Sequence, residues 1–316
     1  MPSASPEQFG GEVARTGQRW HRWQLAGAIM GIVLLGAAIW LVVSQAQDAQ
    51  RAWNALERPE PATIAVLLLL TLLLIPVSAA AQSLMLRRTS GVSVGMGEMS
   101  ALVSLATLLN MLPMWPGAIG RIGYHKVVHG IRPMQAGLAV VAIRLIGLFM
   151  GGVLLVAVWL WPAAAVGAWL AILLGLLIMT SWPTLRLAGW AVIVKWVDLL
   201  LIAARYVAAF ALLGVDLNTS EAGAMSGTSE VASSVPFVGG GPGLREWSIG
   251  WMTEQRISYL PDALVVGVMA DLLVRIATLL VMLPLGFVAF RWLSRRLQSS
   301  AGSIPRSRTL KSESKA

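Results

Sequence analysis

Long runs of apolar residues alternate with short polar segments along most of the chain. Six of these runs approach the roughly 20 residues that an α-helix needs to cross a bilayer. They cover about residues 25–43, 62–86, 134–160, 163–182, 189–213 and 262–290. The pattern therefore predicts an all-α polytopic integral membrane protein with six membrane-spanning helices.

Two further segments are too short or too polar to span a bilayer, and each ends in a break rich in proline and glycine. The first covers about residues 98–116 and the second about residues 221–243. Segments of this kind can enter and leave a membrane on the same side when they are packed inside protein. We therefore predict two re-entrant hairpins.

The distribution of basic residues predicts how these elements are oriented. If the N-terminus is inside and both hairpins return to their side of origin, the inner segments carry sixteen Lys and Arg and the outer segments carry four. Cytoplasmic loops of membrane proteins show such an excess. The polar tail of residues 1–24 and the basic tail of residues 291–316 are therefore predicted to be cytoplasmic, on a protein of the plasma membrane.

The predicted elements occur twice in the same order. Residues 25–160 contain two spans, a hairpin and a third span, and residues 161–290 repeat that order from the opposite side of the membrane. Transporters built from inverted repeats bind their substrates near the bilayer midplane, where the repeats meet. We predict two membrane repeats of this kind.

Composition narrows the possible functions. Hydrophobic residues make up 57% of the chain and charged residues 12%, whereas soluble domains are about one quarter charged. The net charge is +9, but seven of the 24 basic residues lie from Arg291 onward, which favours anionic lipid over nucleic acid as the partner. The chain has no cysteine and three histidines, and its HKVVH segment lacks the glutamate of a zinc-protease motif. No metal, cofactor or nucleic acid is predicted.

Ionisable side chains inside the predicted membrane segments are candidates for function, because an unpaired charge is costly there. The candidates are Arg144, Lys195, Asp198, Arg205, Glu230, Asp271 and Arg275. Spacing of three or four residues allows pairs within a helix, between Lys195 and Asp198 and between Asp271 and Arg275. Such pairs can also serve only to hold helices together. Arg144 has no acidic neighbour in its own helix and needs a partner elsewhere, water or an anionic ligand.

The break after the second hairpin, FVGGGPGLREW, combines glycines with an adjacent Arg–Glu pair. Gly240, Gly241 and Gly243 expose backbone N–H groups that can bind an anion. A helix is predicted to begin directly after them, where Glu246 suits the positive end of the helix dipole and Arg245 lies beside it. No Gly-Lys-Ser/Thr follows, which excludes a nucleotide-binding P-loop. The alternative is a plain loop between membrane segments.

At NMLPMWPGAIGRIGY and VPFVGGGPGLREW the chain resembles the flippase-like transmembrane family, which includes the membrane region of the lysylphosphatidylglycerol synthases. The likeness covers about residues 20–295. The matching residues are Asn110, Pro116, Gly117, Gly120, Arg144, Pro236, Gly240, Gly241, Gly243, Glu246 and Arg275. One departure is Arg121, because the family has glutamate at this position. The resemblance does not include the soluble aminoacyl-transferase domain of the synthases, so it implies lipid translocation or handling rather than lipid synthesis.

The leading hypothesis is a transporter or flippase for a lipid with an anionic polar headgroup, which can be a phospholipid, a glycan-lipid or a polyprenyl-lipid. Arg144, Arg275, Arg245 and the matched hairpin residues would bind the headgroup, while Asp198, Glu230, Asp271, Lys195 and Arg205 would balance charge. No catalytic residue is assigned. One alternative is a membrane subunit that regulates a lipid-modifying enzyme. Another is an intramembrane enzyme, which requires a converging pair of carboxylates.

Overall fold

The computed structural model describes residues 33, 36–44, 50–57, 59–111, 116–160, 165–182, 185–234, 243–257, 259–260 and 262–302. These residues are almost entirely helical, and no strand occurs among them. Most of the first predicted span lies outside the described residues, although residues 36–44 are helical. The fold class is therefore all-α, as the sequence predicts.

Ten helices have defined bounds within the described part of the chain. They are α1 (Gln50–Glu57), α2 (Pro61–Ser90), α3 (Met96–Leu109), α4 (Pro116–His129), α5 (Pro133–Leu160), α6 (Ala165–Thr180), α7 (Arg186–Leu212), α8 (Thr219–Ser234), α9 (Leu244–Arg256) and α10 (Ala263–Gly302).

Four of the described helices, α2, α5, α7 and α10, are long and apolar enough to cross a membrane. Their outer faces expose large apolar side chains, such as Phe149 at 72% and Val288 at 63%. A contiguous apolar surface of this kind is suited to lipid and not to water. The protein is therefore membrane-embedded. Helix α6, in the place of the predicted span at residues 163–182, has 16 residues and is shorter than the usual spanning length.

The ends of the helices are set by residues that can be recognised in the sequence. Helix α2 begins at Pro61, whose missing N–H costs nothing at the first helical position. It ends at Ser90, and the following Gly91 has φ of 75° and donates its N–H to the carbonyl of Arg87. Helix α9 begins after Gly243, whose φ of 111° is rarely open to other residues. The caps place both ends of α2 within four residues of the predicted span of 62–86 and the start of α9 directly after the glycines, as predicted.

Each predicted hairpin segment contains one short helix, and a second short helix begins at or directly after its end. Helix α3 takes up most of the segment predicted at about residues 98–116, and α4 begins at its last residue, Pro116. Helix α8 takes up most of the segment at about residues 221–243, and α9 begins directly after it, at Leu244. Each of these two pairs of short helices is separated by a break. At the first break, the side chain of Asn110 accepts a hydrogen bond of 3.1 Å from the N–H of Gly117, which fixes the start of α4.

The long helices hold the short pairs between them. Helices α2 and α7 form the most extensive contact, α5 packs against α8, and α10 packs against α3. Helices α5 and α8 approach closely because glycines face each other. A Cβ atom added to Gly227 would lie 2.9 Å from the carbonyl oxygen of Gly151. This packing brings the polar short helices beside the charged positions of the long ones.

Candidate functional site: a polar cavity among the membrane helices

A polar cavity of about 230 Å³ lies at the centre of the described helices, with walls from α2, α3, α4, α5, α7, α8, α9 and α10. Because α2, α5, α7 and α10 are the apolar long helices, the cavity lies within the membrane-embedded part of the protein. Its charged lining consists of five basic side chains, Arg121, Arg144, Lys195, Arg205 and Arg245, and two acidic ones, Asp198 and Glu230. The excess of basic groups suits an anionic ligand.

Lys195 links two carboxylates that come from different helices. Its Nζ lies 2.7 Å from Asp198 Oδ2, as the three-residue spacing predicts, and 2.9 Å from Glu230 Oε1. Ser78 donates a second hydrogen bond, of 2.6 Å, to Asp198. All three charged residues are buried. One ammonium therefore neutralises one of two converging negative charges on the wall of the cavity.

Asp271 is fully buried and receives hydrogen bonds from two other helices. Tyr206 donates its hydroxyl to Oδ1 at 2.6 Å, and Arg245 donates Nε to Oδ2 at 3.0 Å. Asp271 thus lies behind the cavity wall and holds Arg245 at the lining. Arg245 takes this partner from α10 and not from the adjacent Glu246 in its own helix.

Glu246 and Arg275 form an ion pair between α9 and α10. Arg275 Nη2 lies 2.7 Å from Glu246 Oε1, and the second carboxylate oxygen accepts a 2.7 Å hydrogen bond from the N–H of Gly243. Glu246 is fully buried. Neither Glu246 nor Arg275 lines the cavity. The pair instead connects the first turn of α9 to a long helix.

Arg121 is a buried cation at the cavity without an acidic partner among the described residues. Its side chain is 6% exposed, and its Nε has no hydrogen-bond acceptor among them. Arg144 also lines the cavity, near enough to oppose the charge of Arg121. Arg205 donates only to neutral groups, the carbonyl of Val274 at 3.1 Å and the hydroxyl of Thr278 at 2.5 Å. Positive charge in the cavity therefore exceeds what its own carboxylates neutralise.

The structure brings together only some of the residues that the sequence analysis selected. Arg144, Lys195, Asp198, Arg205, Glu230, Arg245 and Asn110 line the cavity. Arg275, Asp271, Glu246, Gly243, Pro116, Gly117 and Gly120 do not. Gly240 and Gly241 lie outside the described residues. The additional lining residues include Arg121, Ser78, Tyr206 and Thr278. One feature of the sequence could have marked Arg121 as a site residue, namely that it takes the place of the glutamate of the flippase-like family.

A second polar cluster lies apart from the cavity and was not predicted. Glu98, in the first turn of α3, accepts a hydrogen bond from Tyr124 at 2.7 Å. Its carboxylate also lies 3.0 Å from His129 Nε2 and 2.5 Å from Arg296 Nη1. Burial raises the pKa of Glu98, but these partners outweigh burial and hold that pKa below its usual value. The cluster ties the end of α10 to the first short-helix pair.

Next to this cluster, the pKa of His125 is lowered to about 4, mainly by burial and also by the charges of His129 and Arg121, while Glu98 raises it. In the unfolded chain the imidazole of His125 binds a proton at about pH 6.5, whereas in the folded protein it does so only at about pH 4. The population of the unfolded chain therefore grows as the pH falls from about 6.5 to about 4. We expect the apparent melting temperature in detergent to fall over that range. The His125→Leu variant should fall less, and equal slopes would contradict the buried neutral histidine.

The excess of basic side chains suits the cavity to binding an anion. No group of three or more metal-ligating side chains occurs among the described residues. Among the described residues that line the cavity, no serine is paired with a histidine that would activate it as a nucleophile. The fold and the cavity together define a membrane-embedded all-α protein with a basic polar cavity.

Comparison with protein-family models, with curated proteins and with solved structures finds no significant match to this chain. The resemblance to the flippase-like family therefore stays a prediction.

Proposed function

We propose that this protein is a lipid transporter of the flippase type, which binds the anionic headgroup of a membrane lipid in the polar cavity and carries it between the leaflets. The cavity volume of about 230 Å³ suits a headgroup and not a whole lipid. The apolar outer surface leaves the tails in a hydrocarbon environment. Transport through a polar path lowers the cost of moving a charged headgroup through the bilayer.

The observation that carries this proposal is the state of Arg121. Moving a guanidinium from water into a protein interior costs several kcal/mol unless an anion compensates it. Arg121 has no such anion among the described residues, yet it is buried at the cavity beside Arg144. An anionic ligand between these side chains would supply the missing partner. A phosphate group suits them, because arginine binds phosphate through two parallel hydrogen bonds.

The arrangement of helices supports an inverted repeat as part of the proposal. If α2, α3, α4 and α5 correspond to α7, α8, α9 and α10, most contacts among these helices have a counterpart, although the contact of α10 with α4 has no comparable one between α5 and α9. The contact of α5 with α8 matches that of α10 with α3, and α2 with α5 matches α7 with α10. The two cavity walls would then exchange roles during transport, as in transporters with alternating access. Six spans, two re-entrant hairpins and cytoplasmic termini complete the proposed topology.

The proposal extends to the likeness with the flippase-like family and to a place in the plasma membrane. Within that likeness, Arg144 would bind the headgroup and Arg275 would have a structural role. Arg121, at the position of the family glutamate, would add a positive charge to the headgroup site. This chain would therefore prefer a more negative headgroup than relatives that carry glutamate.

The Arg121→Met variant tests the headgroup site. Methionine keeps a long unbranched side chain without the charge. We expect retention of phosphatidylglycerol over phosphatidylcholine to fall about thirty-fold, or ~2 kcal/mol. We also expect the melting temperature of the lipid-free protein to rise, because an unpartnered buried charge is removed. Native mass spectrometry from a mild detergent with equimolar lipids measures the first effect, and a thermal shift measures the second.

Arg291→Met is the matched control, because Arg291 is exposed and stacks its guanidinium on Phe287 at 4.8 Å. It should change neither lipid preference nor stability by much. If Arg121→Met retains phosphatidylglycerol as the wild type does, Arg121 is not a headgroup ligand. A fall in both retention and stability would indicate a structural role instead.

Transport itself is measured in proteoliposomes that contain phosphatidylglycerol with a fluorescent tail label. A membrane-impermeant reductant bleaches only the outer leaflet, so translocation is seen as bleaching beyond one half. We expect wild-type protein and Arg291→Met to translocate the lipid and Arg121→Met to translocate it at least about tenfold more slowly. Binding without translocation would favour the regulatory-subunit hypothesis.

One observation favours a second candidate function, an intramembrane enzyme acting on a lipid carrier. Asp198 and Glu230 converge on Lys195 at the cavity, and a pair of carboxylates is one arrangement that can supply the acid and the base for chemistry on a bound lipid. Incubation with phosphatidylglycerol or a polyprenyl phosphate, followed by mass spectrometry of the lipid, separates the candidates. Transport leaves the lipid mass unchanged, whereas an enzyme yields a product.

A further inference from the structure

An apolar groove of about 410 Å³ runs along the outer side of the polar cavity, between α2, α3 and α10. Leu73 and Pro76 of α2, Ala101 of α3, and Val288 and Trp292 of α10 are among the residues that line it. A channel of this shape and chemistry suits a hydrocarbon chain.

The groove and the polar cavity share a wall. Ile75 of α2 lines both spaces and is 5% exposed. On the same helix, Thr71 and Ser78 line only the cavity, while Leu73 and Pro76 line only the groove. Because these positions lie on neighbouring faces of one helix, the polar and apolar compartments lie side by side and share Ile75 as a lining residue.

The far end of the groove has the chemistry of a membrane interface. Trp292 lines it, and the guanidinium of Arg296 lies over the indole ring at 4.6 Å from its centre. Tryptophan and arginine are enriched where hydrocarbon meets headgroups. The groove therefore extends from Ile75, at the wall of the polar cavity, to a Trp–Arg pair of the kind found at membrane interfaces.

We propose that this groove binds one acyl chain of the phospholipid whose headgroup occupies the polar cavity, an inference that rests on the proposed function. The cavity is too small for a whole lipid, so a bound lipid must place its tails elsewhere. The groove is the apolar space that adjoins the cavity through Ile75. Binding of both parts would select intact lipid over a free headgroup, and Ile75 would separate the headgroup from the chain.

The absence of cysteine from the chain permits a direct test. A single cysteine introduced as Ala101→Cys can be labelled in the folded protein with a hexadecyl thiosulfonate, which tethers an alkyl chain in the groove through a disulfide. Ala65→Cys is the matched control, since Ala65 is exposed on α2 and lines neither space. Size-exclusion chromatography before and after labelling verifies that each protein stays monodisperse.

Two probes are used with each protein, phosphatidylglycerol and water-soluble glycerol phosphate. We expect the label at residue 101 to weaken phosphatidylglycerol binding at least about tenfold while glycerol phosphate binding stays unchanged. A reductant that releases the alkyl chain should restore the lipid affinity. The label at residue 65 should change neither probe. The Ala101→Phe variant, which fills the groove without a label, should reproduce the selective loss.

The outcomes separate this inference from the proposed function. Unchanged phosphatidylglycerol affinity in both the labelled Ala101→Cys protein and Ala101→Phe would overturn the groove as a chain site, even if Arg121→Met loses both probes. If neither probe depends on Arg121, the headgroup site itself is refuted and the shared site fails with it. Loss of glycerol phosphate binding on labelling would mean that the alkyl chain disturbs the cavity, which would contradict two separate compartments.

Discussion

The Lys195→Met variant is expected to lose about 3–5 kcal/mol of stability, because two buried carboxylates would lose their common partner. Lys195 holds Asp198 at 2.7 Å and Glu230 at 2.9 Å. Without the ammonium, their mutual repulsion and their desolvation are uncompensated. Ser78 donates one hydrogen bond to Asp198, but a single hydrogen bond is too weak to stabilise an isolated charge. The change is measured as the melting temperature in detergent and as the yield of monodisperse protein.

A second substitution tells whether charge or packing causes the loss. Lys195→Met/Glu230→Gln removes one carboxylate charge together with the ammonium and should recover a large part of the stability. Lys126→Met is the matched control, because Lys126 is exposed on α4. Equal stability of Lys195→Met and Lys126→Met would refute the role of the triad in holding α7 against α8.

The Arg275→Met variant is expected to destabilise the protein by about 3–5 kcal/mol and not merely to weaken lipid binding. Arg275 forms a 2.7 Å ion pair with Glu246, which is fully buried. Removal of the guanidinium would leave this carboxylate with only the hydrogen bond from Gly243. Because the pair connects α9 to α10, its loss should loosen the second short-helix pair. Thermal unfolding in detergent measures the effect.

The double variant Glu246→Gln/Arg275→Met removes both charges of the ion pair. It should be more stable than Arg275→Met alone, since no uncompensated charge remains. The sequence predicts instead that Arg275 binds the headgroup, and this role gives the opposite expectation. If Arg275→Met keeps the wild-type melting temperature but loses phosphatidylglycerol retention, Arg275 is a ligand. Arg291→Met, on the exposed surface of the same helix, controls for loss of a positive charge.

The lengths of α2, α5 and α7 could be predicted because they depend on local properties, whereas α10 continues about twelve residues beyond the predicted span, to Gly302. The span expected at residues 62–86 is α2, and its ends agree with a proline at the start and a glycine after the last residue. Apolar length, helix propensity and capping are all properties of neighbouring residues. The same local reading selected Lys195 and Asp198 as a pair, and the structure confirms this pair.

Partners between helices could not be predicted in the same way. The four-residue spacing of Asp271 and Arg275 suggested a pair, but Asp271 binds Arg245 and Tyr206, and Arg275 binds Glu246. A buried charge is stabilised by whichever opposite charge the packing brings within contact distance. Here α9 approaches α10 closely because a Cβ atom on Gly250 would meet the carbonyl of Leu264 at 2.8 Å. That approach is a property of two helices at once.

Composition and the lengths of the apolar runs by themselves determined that this is an all-α membrane protein with polar interruptions. Both features reflect the solvent that surrounds each single helix. The tertiary structure decided which charges face a common space. In that structure Arg121 is buried at the cavity, and Arg275 forms an ion pair away from it. An apolar groove lies beside the polar cavity, and Ile75 lines both. These features arise where several helices meet. The free energy of a buried charge depends on all of its neighbours in space. The sequence specifies only the neighbours along the chain.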